Sequence, residues 1–114
     1  MEQKTFNIIN VGGTAKVQIG TDTIVLDLKE RLRLINLLKD VKETKEIFPA
    51  RLQGACLMYP DGLIAANISL AKMGNADNNY LMFVYHLVPH ATKYQVNNFI
   101  VSETILDLYI KNLA

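Results

Sequence analysis

Hydrophobic and polar positions alternate at the start of the chain, change to a helical period, and return to alternation. In KTFNIINV (residues 4–11), Phe6, Ile8 and Asn10 share one face and Asn7, Ile9 and Val11 the other. After Gly12-Gly13, Ala15, Val17 and Ile19 alternate with Thr14, Lys16 and Gln18. Two alternating runs around a glycine pair predict an N-terminal hairpin. From Thr23 the spacing of Ile24, Leu28, Leu32, Ile35 and Leu38, widened by Leu34, Leu37 and Val41, predicts a long amphipathic helix running to about Glu46. Thr21 or Asp22 would cap it, and Pro49 marks its exit.

Alternation resumes over Gly54–Tyr59, the predicted third strand. Pro60-Asp61-Gly62 has the residue types of a tight turn, and Leu63–Ala66 reads as a short return strand. Ser69–Met73 reads as one helical turn, Gly74–Asn79 as a polar loop, and Tyr80–Val88 as the last core strand, ended by Pro89. Residues 90–114 follow as an extension. Lys93–Val101 alternates enough for a further strand, and Ser102 heads a short amphipathic helix bearing Ile105, Leu106, Leu108, Tyr109, Ile110 and Leu113. So short a helix forms only with its apolar face buried, either on its own domain or on a neighbour.

Composition narrows the function classes. The chain has 114 residues, 50% hydrophobic and 20% charged, enough for a core without disulfides or metals. Twelve Lys/Arg offset eleven Asp/Glu, with no concentrated basic face, so a nucleic-acid partner is not expected. Charges interrupt every apolar run, which argues against a membrane partner, and the single Cys56 offers no internal disulfide. The expectation is an intracellular protein, cytoplasmic or nuclear. Asn67-Ile68-Ser69 matches a glycosylation pattern but lacks a secretion signal before it.

No catalytic constellation emerges. His86 and His90 lack a third metal ligand at useful spacing, and Cys56 lacks a neighbouring base. Gly12-Gly13-Thr14 lacks the spacing of a phosphate loop, and Asp61 and Asp77 fall in predicted turns. Neither an enzyme nor a cofactor is expected.

The order hairpin, helix, strand, turn, short strand, helical turn, final strand resembles the ubiquitin-like β-grasp family over about residues 4–88. Thr21-Asp22-Thr23-Ile24 resembles the head of that family's helix, Leu57-Met58-Tyr59 its third strand, and Ser69-Leu70 with the polar loop its closing segment. The resemblance implies an α+β fold: a mixed sheet packed on one long helix in residues 1–89, plus the extension at 90–114. The last strand runs on as Tyr85-His86-Leu87-Val88-Pro89-His90 without a glycine pair, so a conjugated modifier is not implied. What is implied is a protein-interaction module, an adaptor or subunit, whose partner-binding patch holds Val11, Met58 and Val84. Met82 and His86 join Val84 on its face of the strand. The extension either leaves that face open or covers it. The alternative is a self-associating subunit that uses the extension as its oligomer interface.

Overall fold

A computed structural model describes residues 5–49, 52–58, 62, 64–74, 78–87 and 94–114. The hairpin forms as expected: β1 (Phe6–Val11) pairs antiparallel with β2 (Thr14–Ile19), turning at Gly12 and Gly13, both at positive φ. The next segment departs from expectation. Asp22–Val25 is a third strand, β3, with Ile24 opposite Val17. Thr23, Ile24 and Val25 are β-branched, stiff at χ1 and suited to a pleated surface, and Gly20 at φ 61° supplies the turn into them.

The helix α1 (Leu28–Glu43) therefore starts later than the periodicity implied. Asp27 caps it: its Oδ1 accepts from Glu30 N at 2.8 Å, while Glu30 Oε1 accepts from Asp27 N at 3.3 Å. Leu34, Leu37, Leu38 and Val41 form the buried stripe, while Leu28 and Leu32 face solvent. Asp27→Ala removes the reciprocal cap and should destabilise the protein by about 1 kcal/mol. A lowered urea midpoint at unchanged slope is the expected result; an unchanged midpoint would show that the cap carries no weight.

Beyond α1 the described residues form a four-stranded antiparallel meander: β4 (Gln53–Met58), β5 (Ile64–Lys72), β6 (Tyr80–Leu87) and β7 (Tyr94–Val101), in that spatial order. It closes with α2 (Glu103–Leu113), capped by the Ser102 side chain. The expected helical turn at Ser69–Met73 is absent, because Ile68 and Leu70 continue inward while Ser69 continues outward along β5. A register shift between Leu57 and Met58 sets Met58 against Ile64 and leaves Ala65 as the extra residue of a bulge.

This architecture overturns the β-grasp reading. Among the described residues the strands form two separate antiparallel sheets served by two helices, and no single long helix packs on one mixed sheet. β1 is an edge strand of the first sheet, with β2 beside it, and β6 lies between β5 and β7 in the second. Residues 94–114 are not an appendage. β7 completes the second sheet, and Val101, Leu106, Tyr109 and Leu113 belong to the core.

Inner-face residues of both sheets bury against the two helices, among them Ile8, Val17, Ile19, Leu57, Ile68, Leu70, Met82 and Val84. Polar ties reinforce that packing. Asn112 Nδ2 donates to Ile8 O at 2.9 Å, and Asn10 Nδ2 donates to Asn112 O at 3.0 Å, locking α2 to β1. Lys42 hydrogen-bonds Asp107 between the helices, which holds its ammonium pKa above the usual lysine range. Arg31 on α1 reaches three carbonyls: Leu113 O (3.0 Å), Ala114 O (3.0 Å) and Gly13 O (3.1 Å). Burial pushes the Tyr80 and Tyr109 phenols above their ordinary pKa.

Candidate docking face

Antiparallel sheets usually present one packed and one solvated face, and the solvated one is normally polar. The second sheet breaks that pattern. With Ala55, Leu57, Ile68, Leu70, Met82 and Val84 turned inward, strand alternation turns Cys56, Met58, Asn67, Ser69, Phe83, Tyr85, Val96, Asn98 and Ile100 outward. No outward position on β4–β7 holds a charged residue. Lys72, at the end of β5, turns to the inner side, where its Nζ donates to Lys42 O (2.7 Å) and Thr44 O (2.9 Å) at the C-terminal end of α1.

Cross-strand neighbours build the centre of this face. Asn67 stands between Cys56 on β4 and Tyr85 on β6, and Tyr85 stands opposite Val96 on β7. Asn67 Nδ2 donates to Cys56 Sγ at 3.1 Å and its Oδ1 accepts from Ser69 Oγ at 3.1 Å, so its amide is held within the sheet. Cys56, Ile64, Asn67 and Tyr85 line a shallow hollow of about 430 Å³. Tyr85 and Val96 are 45% and 54% exposed, and Ile100 is 66% exposed. One end of the face is lapped by the segment after α1, where the Phe48 ring lies 6.1 Å from that of Phe83.

A second depression of about 530 Å³ shares Cys56 with the first. Val25, Leu26, Asp27, Lys29, Glu30, Arg33 and Met58 complete its lining. Its carboxylates are engaged: Asp27 caps α1, and Glu30 Oε2 accepts from Met58 N at 3.3 Å. That leaves Lys29 and Arg33 as a cationic rim beside the uncharged sheet.

The residues expected to form one binding patch are divided. Met58 is 47% exposed and lies on the outer face. Val11, also exposed, sits at the tip of the first sheet's hairpin. Met82, Val84 and His86 are buried on the inner face, and the patch drawn through them is corrected accordingly. His86 Nε2 lies 3.2 Å from Asp22 Oδ2, a contact between the two sheets. The reason is parity. Leu81, Phe83, Tyr85 and Leu87 look like the core set of β6, yet helices and first sheet cover the other side, where His86 finds Asp22. One sequence signal pointed the right way: pairing a long β5 with β6 sets Asn67 and Ser69 beside Tyr85 and Phe83, and so puts the aromatics on the polar side.

His90, considered with His86 as a metal pair, lies outside the described residues, as do Asp61 and Asp77. Among the described residues no group of three or more His, Cys, Asp or Glu side chains could hold a metal ion. No helix among them is long and apolar enough to cross a membrane. No protein-family model, no curated protein and no solved structure matches this chain.

Proposed function

We propose that the protein is a protein-interaction module, an adaptor or subunit of a complex, that docks a partner on the outer face of its four-stranded sheet. One observation carries this reading: a whole sheet face without charge, centred on Tyr85 and lined by exposed Met58, Ile64, Val96 and Ile100. Interface cores are depleted of charge and enriched in aromatic residues and methionine, whereas large exposed apolar patches are uncommon on chains that act alone.

Size agrees. Four strands spaced about 4.8 Å apart and some eight residues long cover a footprint of roughly 500 Å². Side-chain relief raises the accessible area toward the ~800 Å² per partner of a standard interface. The absence of charge selects a partner whose contact surface is itself apolar and uncharged, with one side chain entering the hollow beside Tyr85. The reading involves no catalytic step. It places the protein inside the cell, where Cys56 stays a thiol.

Affinity purification of wild type and Tyr85→Asp from the native cell, read by mass spectrometry, tests it. Wild type should retain a stoichiometric partner that Tyr85→Asp loses while keeping its cooperative melt. Identical recovery by both proteins would sink the proposal.

A further inference from the structure

We infer that the protein also pairs with a second copy of itself, edge to edge along β7, in an antiparallel register whose twofold axis passes between the two Asn98 residues. This surface is a strand edge, distinct from the docking face. β7 is a terminal strand of its sheet, and among the described residues no strand lies on its far side. Exposed edges are ordinarily protected by lysines, prolines or bulges. Tyr94–Val101 contains no charged residue and no proline, and its pairing with β6 runs through eight consecutive residue pairs without a bulge. At the sheet's opposite edge, Met58 N on β4 donates to Glu30 Oε2.

Self-complementarity identifies the occupant. Residues opposed across an antiparallel pair must face the same side of the sheet, so a twofold axis has to pass midway between two copies of one residue. With the two Asn98 residues astride the axis, Val96 opposes Ile100 of the partner on one side and Ile100 opposes its Val96 on the other. These exposed apolar side chains then meet as cross-strand pairs. The two Asn98 amides meet at the centre, where each can donate to and accept from the other. Pairing in this way continues the uncharged outer face across eight strands and two copies.

Asn98 is exposed, so charge placed there reads the edge without burdening the core. Sedimentation equilibrium of the full chain across the micromolar range should show a monomer–dimer equilibrium. Asn98→Lys and Asn98→Asp each set like charges face to face on the axis and should weaken the dimer roughly tenfold. An equimolar mixture of the two should recover dimer, because opposite charges then meet. Tyr85→Asp, which alters the face and leaves the edge alone, should dimerise like wild type. A wild-type monomer throughout the range overturns the inference. So does a dimer insensitive to both Asn98 variants, or one lost in Tyr85→Asp but kept in Asn98→Lys.

Discussion

Val84→Asp should abolish cooperative folding, while Tyr85→Asp, one position along the same strand, should leave it intact. Val84 has no exposed surface and packs on the inner face of β6. A carboxylate there is either ionised without a partner or protonated with its pKa raised by about 3–5 units. At neutral pH, where such a shift keeps the buried group protonated, this costs roughly 4 kcal/mol. Losing the buried valine adds about 1.5–3 kcal/mol. Together these approach the whole stability of a typical domain, about 5–15 kcal/mol. Tyr85 projects the opposite way and is 45% exposed, so an aspartate there meets water and costs about 1 kcal/mol of strand preference. Circular dichroism melts should show no transition for Val84→Asp and a midpoint only a few degrees low for Tyr85→Asp. The reverse pattern would mean that β6 is inverted, and the docking face would fall with it.

Arg31→Ala should carry the next largest effect, a loss of about 2–3 kcal/mol. One guanidinium joins α1 to the last carbonyls of α2 and to the β1–β2 turn at Gly13, three pieces of chain far apart in sequence. Hydrogen bonds from a charged donor contribute about 1.5–3 kcal/mol each when well shielded. Only the bond to Leu113 O is partly buried, so the three together amount to less than their nominal sum. The positive charge also suits the negative end of α2. At roughly 4 °C per kcal/mol for a chain of this length, the melting midpoint should fall by about 10 °C. Arg31→Lys should recover little, since one ammonium cannot span three acceptors held by a planar fork. A lysine variant as stable as wild type would show that charge, and not the forked geometry, holds these segments together.

Much of the fold was legible because its signals are local. The Gly12-Gly13 hairpin, the strands near Gly54–Tyr59, Tyr80–Val88 and Lys93–Val101, and the helix after Ser102 each carry their own period and punctuation, and each formed. The errors arose where two periods overlap. Thr21–Val25 serves equally as the head of a helix stripe or as a third alternating strand, and backbone pairing with β2 decided for the strand. Ser69–Met73 is short enough to fit a helical turn, and its pairing with β6 at a distance in sequence extended β5 instead. The site was harder to read because alternation fixes two faces without saying which is covered. Met58 lies on the exposed side, whereas Met82, Val84 and His86 lie on the inner side that α1, α2 and the first sheet cover.

The bulge at Ala65 determines which side chains the outer face offers. With regular pairing beyond Leu57 and Ala66, Ala65 would fall opposite Met58 and Ile64 would turn into the interior. The one unmatched residue resets the phase of β5 at its start. An isoleucine, not a methyl group, thereby borders the hollow beside Tyr85. The shape of that depression is thus written as a change of count in the backbone as much as in the choice of side chains.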